Sequence, residues 1–244
     1  MIKEKRIRIS RHGIVPKDAN GVTIEDTVQW DSSKRIYDTS RKTLGGYCKQ
    51  NQVGPKNVLL RANKLNRTAH TANAIYLGAL GIDPSENGVE KRPFMEDERL
   101  GDDGIVYNED AVKSGKVDTD TYVRDLVANP TMNSYHGGKT TPFNEICKSR
   151  GQMLKEVIYE LVQNPDLKLA VLGGQSGSLE AMAVVAVNTG RKTPVTSCED
   201  IGGVFGMEDY ADVVLTENGD GTYRARFERK NVSMPIDIAK LGYE

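Results

Sequence analysis

The sequence predicts an α/β fold: a mostly parallel central sheet flanked by helices on both faces, with an inserted lid-like segment and a C-terminal hairpin. Three observations carry that expectation. Residues 6–10, Arg-Ile-Arg-Ile-Ser, alternate apolar and polar side chains, the period of a strand with two unlike faces. Two further runs, 58–61 and 167–172, have too few polar interruptions to alternate and suit central strands covered on both sides. Each run is followed by a loop and then a helical pattern, the order of elements in parallel α/β units.

The remaining elements follow in order. Within 65–80, Ala69, Ala72, Tyr76, Ala79 and Leu80 share one helical face, and Gly81 supplies a stop. Within 143–162, Ile146, Leu154, Val157, Ile158 and Leu161 keep helical spacing until Asn164-Pro165 ends the run. After the third strand, Gly173-Gly174-Gln175-Ser176-Gly177-Ser178 reads as a small-residue turn that opens an Ala- and Val-rich helix over 179–187. Near the end, 211–215 and 222–228 flank Glu217-Asn218-Gly219-Asp220-Gly221, a hairpin signal. The segment 103–141 is polar, Gly-bearing and without sustained periodicity, and reads as an insertion folding over the sheet edge. A length of 244 residues suits one such domain, 1–244, with a substantial core.

Charge and composition exclude several classes. Lys and Arg number 33 against 34 Asp and Glu, so no basic surplus points to nucleic acid or an acidic membrane, and any cationic site must be local. Cys48, Cys147 and Cys198 are odd in number, widely spaced and without metal-ligand spacing, which suits a reducing, cytoplasmic setting. The basic residues 1–8 are not followed by the apolar core of a signal sequence, and no stretch approaches membrane-spanning length.

Chemistry concentrates where strands end. Arg11-His12-Gly13 follows the first strand, and the carboxyl end of a strand in an α/β sheet is where small ligands bind. A histidine there can attack phosphorus, and an arginine there can hold the phosphate. Arg67 falls in the first turn of the helix after the second strand, where a cation opposes the helix dipole unless an anion is meant to arrive.

These residues resemble a known family. Arg11-His12-Gly13 and Leu65-x-Arg67-x-Ala69-x-Thr71-Ala72 look like two signature blocks of the histidine phosphatase superfamily, also called phosphoglycerate mutase-like. Glu98-Arg99-Leu100-Gly101-Asp102 is similar to a third block, and 169–181 resembles the strand, turn and helix of a fourth. The resemblance implies His12 as nucleophile, Arg11 and Arg67 as the phosphate clamp, and Asp102, or else Asp103 or Glu98, as proton donor to the leaving group. It implies a small phosphorylated substrate, a phosphohistidine intermediate, and no cofactor or metal. Lys17 would replace a lost phosphate contact or be a solvated loop residue, and His136 would touch substrate from the lid. The pair Gly173-Gly174 lacks the lysine and hydroxyl of a nucleotide-binding loop and reads as the turn that brings Gln175 to the pocket.

One departure stands out. The fourth block puts Gln175 where the family carries a second catalytic histidine. Its amide can donate to a phosphate oxygen but carries no charge and cannot titrate. Three readings follow: a slow natural enzyme, a phosphate-binding protein that has lost catalysis, or a histidine replaced to trap a ligand. Hydrolysis is preferred over a mutase-like transfer, because no further basic cluster near the motifs offers a second phosphate site.

Overall fold

The computed structural model describes residues 4–19, 23–84, 94–101, 118–136 and 139–242. Its strands are β1 (Glu4–Arg11), β2 (Val58–Ala62), β3 (Met95–Glu96), β4 (Asn133–His136), β5 (Lys139–Pro142), β6 (Leu169–Gly174), β7 (Tyr210–Glu217), β8 (Tyr223–Arg229) and β9 (Val232–Ile236). Its helices are α1 (Trp30–Gln50), α2 (Asn66–Leu80), α3 (Thr119–Ala128), α4 (Phe143–Gln163) and α5 (Ser178–Gly190). Seven strands form one sheet in the order β3-β2-β6-β1-β7-β8-β9, and β4 and β5 pair apart from it. Parallel pairing is confined to β3, β2, β6 and β1. Strands β7, β8 and β9 extend the sheet antiparallel, so the predicted hairpin is part of the main sheet.

The period of the strands divides the core. Ile7, Ile9, Leu59, Ala170 and Leu172 face one side, where α3, α4 and α5 cover them. Val58, Leu60, Leu169 and Val171 face the other, against α1 and α2. Helices therefore cover both faces, as β2 and β6 require with nearly every side chain buried.

One expectation is corrected. Gly173 and Gly174 belong to strand β6 rather than to a turn. They are glycines because neighbours approach closely: a Cβ on Gly173 would lie 2.4 Å from the Thr68 carbonyl oxygen, and one on Gly174 would lie 2.7 Å from Leu179 Cδ2 and 3.0 Å from the Leu100 carbonyl oxygen. Gly173→Ala must push the backbone of α2 off the sheet, and we expect it to lower the unfolding free energy by about 1–3 kcal/mol in denaturant titration. A change near zero would show that α2 is not seated on Gly173. Of the predicted insertion 103–141, residues 103–117 lie outside those described, and α3 within it is an amphipathic helix. Asp118 caps it by accepting from the Thr121 N–H at 2.9 Å. Tyr122, Val123, Leu126 and Val127 are buried in the main core.

Candidate active site

The register of the sheet brings the two most informative motifs side by side. Strands β1 and β6 are adjacent and parallel, with Arg11 opposite Gly174. The next residue of each chain is His12 and Gln175. The His12 N–H donates to the Gly174 carbonyl at 3.1 Å, and the Gln175 N–H donates to the Leu100 carbonyl at 3.1 Å. Strand β2 ends on the other side of β6, with Ala62 opposite Gly173, and delivers the chain into α2. Three carboxyl strand ends thus converge where ligands bind in parallel sheets.

His12 is buried, at 7% exposure. Its Nδ1 lies 2.8 Å from the Gly13 carbonyl oxygen. A carbonyl only accepts, so Nδ1 carries the proton and Nε2 keeps its lone pair. Burial pushes the imidazole pKa down to about 4, the charges of Arg67 and Arg11 push the same way, and the Gly13 hydrogen bond and Asp26 oppose them. At neutral pH the ring is therefore uncharged, as nucleophilic attack demands. Both helices of the second face grip the loop behind it. The Gly13 N–H donates to Thr71 Oγ1 at 3.0 Å, and Thr71 Oγ1 donates to the Arg67 carbonyl at 2.9 Å. A Cβ at Gly13 would lie 2.5 Å from Ser32 Oγ of α1.

Arg11 is buried and anchored at one end of its guanidinium, where Nη1 donates to the Phe205 carbonyl at 2.5 Å. Its Nε is buried and has no hydrogen-bond partner among the described residues. Behind it lies a fully buried carboxyl, Glu180. Glu180 accepts from the Phe205 N–H at 2.6 Å, from the Ser176 hydroxyl at 3.2 Å and from the Gly177 N–H. Burial raises its pKa, while the backbone donors and the charge of Arg11 pull it down. Glu180 thereby ties the turn after Gln175 to the segment that holds Arg11.

Arg67 sits in the first turn of α2, as the sequence indicates, but a carboxylate already answers its charge. Arg67 Nη1 donates to Asp26 Oδ1 at 2.7 Å, and Asp26 Oδ2 accepts from the Asn66 N–H at 2.9 Å. The cation at the positive end of the helix is thus compensated from within the chain, a partner the sequence reading lacked. Asn63 supports the same helix start, its Oδ1 accepting from the Leu65 N–H at 3.0 Å and from Thr68 Oγ1 at 2.5 Å.

The third block forms a short turn, Glu98–Leu100, held against α4 and α5. Arg150 Nε donates to Ser178 Oγ at 2.9 Å, and Ser178 Oγ donates to the Arg99 carbonyl at 2.6 Å. Asp102 and Asp103 lie outside the described residues. Glu98 is exposed. Asp97 is buried, which favours its neutral acid, yet its bonds to Arg99 and the charge of Arg61 pull its pKa below the ordinary carboxylate value. Lys17 is exposed on a loop where its backbone pairs with Thr23. His136 ends β4 opposite Lys139, and its side chain lies outside the described residues.

No sequence-family model matches the chain, and no curated protein sequence matches it. Solved structures do. A protein described as mycobacterial hydrolase 1 superposes with a TM-score of 0.54 at 14% identity, over 95% of this chain and 100% of that one. A mycobacterial glucosyl-3-phosphoglycerate phosphatase superposes in its native form with a TM-score of 0.52 at 14% identity, over 93% of this chain and 99% of that one. The same phosphatase with VO3 gives 0.51 at 16% identity, again over 93% and 99%. The chain therefore shares the α/β fold of these solved structures.

Proposed function

We propose that the protein is a phosphatase that hydrolyses a phosphate monoester through a phosphohistidine on His12. The observation that carries this reading is an uncharged His12, with Nε2 carrying its lone pair, at the joined ends of β1 and β6 and under the charges of Arg11 and Arg67. Nε2 attacks phosphorus, the bond from phosphorus to the ester oxygen breaks, and the leaving alkoxide takes a proton from a carboxylic acid, for which Asp102 is proposed. Water then attacks the phosphohistidine, releasing inorganic phosphate and restoring the imidazole. Arg11 and Arg67 hold the equatorial oxygens, where fixed charged donors contribute most. The fold shared with phosphatases supports the same reading. The three buried cysteines without disulfide partners suit a reducing, cytoplasmic setting, and the substrate of this reading is a small phosphorylated molecule.

Gln175 supports a second reading, a phosphate-binding protein without useful turnover, since the adjacent strand end supplies a neutral amide in place of a charged donor. Release of phosphate from an aryl phosphate separates the two. Both readings require the clamp, so Arg67→Ala should weaken vanadate or phosphate binding by at least about 2 kcal/mol, well above the usual effect of a surface charge. An unchanged affinity, measured by calorimetry, would return Arg67 to a merely structural partner of Asp26.

A further inference from the structure

Asp26 is a carboxylate paired with the clamp that the reading above leaves without a task, and its placement is unusual for a loop carboxylate. One oxygen takes a guanidinium N–H of Arg67, and the other takes the first backbone N–H of α2. A bound phosphate would use the same two kinds of donor, a forked cation and a helix N-terminus. The loop that carries Asp26 leaves directly from the nucleophile motif and is closed on itself. The Gln29 N–H donates to the Ile14 carbonyl at 2.8 Å, the Ile24 N–H donates to the Pro16 carbonyl at 3.0 Å, and Lys17 bridges to Thr23. Val15 and Val28 bury their side chains at its base. Asp26 is therefore presented by a fastened loop rather than by a wandering one. Meanwhile the buried Nε of Arg11 has no acceptor among the described residues, so the clamp holds donor capacity that the described residues leave unused.

We propose that Asp26 is a built-in occupant of the anion seat on Arg67, an autoinhibitory contact that a phosphate group must displace in order to bind. The proposal rests on the clamp reading of Arg67. Binding is then an exchange of carboxylate for phosphate on one cation, and its strength is set by the difference between the two anions rather than by the full attraction of the clamp. Displacement frees Asp26 from Arg67 but leaves it on the loop fastened beside His12-Gly13, so arrival of the anion and the position of that loop are coupled.

The probe is inorganic phosphate, titrated calorimetrically into the full chain. Asp26→Asn and Asp26→Ser both keep an acceptor for the Asn66 N–H and both remove the charge, so either one that folds serves. Each should bind phosphate roughly tenfold more tightly than the parent. Glu25→Gln removes the same charge from the neighbouring, exposed position and should leave the affinity within about twofold, which separates occupation of the seat from the general field of the loop. Unchanged or weaker binding in the Asp26 variants, or an equal gain in Glu25→Gln, would overturn the proposal. Arg67→Ala distinguishes failure of the underlying reading: if it binds phosphate as the parent does, the clamp itself is misplaced, whereas loss of binding there with no gain in the Asp26 variants rejects the autoinhibitory contact alone.

Discussion

His12→Ala is expected to abolish both turnover of an aryl phosphate and the acid-labile phosphate label on the protein. The expectation follows from the step that joins the protein to phosphorus, attack by His12 Nε2, which alanine cannot make. Alanine also relieves a protonation penalty, and the two effects can be measured apart. The folded-state pKa of His12, about 4, lies below the unfolded value of 6.5, so as pH falls the unfolded chain takes up its proton first. The contribution of neutral His12 to stability is complete above pH 6.5 and is lost as pH falls towards 4, by about 3 kcal/mol. The alanine variant should therefore lose less stability than the parent between pH 7 and 4, as read by denaturant unfolding. By the same displacement, any decline in rate that belongs to His12 should appear near pH 4 and not near 6.5. Parental activity in the alanine variant would remove His12 from the mechanism, and equal acid sensitivity of the two proteins would remove its lowered pKa.

How far these features are legible in the sequence depends on the range of the interaction that forms them. Strands β1, β2 and β6 and helices α2, α4 and α5 are written in local periodicity, and the structure places them within a few residues of their predicted bounds. Helix α1 is harder to read: its buried face carries Ile36, Leu44, Tyr47 and Cys48, but the small buried residues Ser32, Ser40 and Gly45 interrupt that apolar spacing. Small residues also set its packing, since a Cβ on Gly78 of α2 would lie 2.3 Å from the Tyr37 carbonyl oxygen. Strand β9 hides for another reason. Pro235 lies within it, and proline in a short apolar run argues against a strand unless the strand is at an edge, as β9 is. In the site, Arg11, His12 and Gln175 are legible as motifs, since Arg11 ends β1, His12 follows it and Gln175 follows β6. Asp26 and Glu180 are found only by folding, because each acts on a partner far along the chain: Arg67 lies 41 residues from Asp26, and Phe205 lies 25 from Glu180. The cation in the first turn of α2 was the available signal for Asp26. It announced that an anion was needed without saying that the chain supplies one.

Gln175→His is expected to raise the rate of phosphate-ester hydrolysis by about 10²-fold or more. Gln175 follows β6 as His12 follows β1, and the His12 N–H is bonded to the residue just before Gln175, so a side chain at 175 starts from the strand end beside the nucleophile. Its backbone is fixed by the Leu100 carbonyl and by the turn that Glu180 holds, so a substitution there changes the donor without releasing the support. The charges around the reacting group explain why the gain should be large. Arg11 is half committed to the Phe205 carbonyl and Arg67 is paired with Asp26, which leaves the transferring phosphoryl group with fewer free cationic donors than the number of arginines suggests. Adding an imidazolium there supplies a charge-assisted hydrogen bond to oxygens whose charge builds up during transfer, and it should act on turnover more than on binding. The measurement is kcat and KM for an aryl phosphate in the two proteins, together with phosphate affinity. A rise in kcat with nearly constant affinity identifies the chain as a phosphatase slowed at one position. A histidine variant as inert as the parent, still binding phosphate, would instead favour the binding protein, in which Asp26 and Gln175 together temper a phosphate site that no longer turns over.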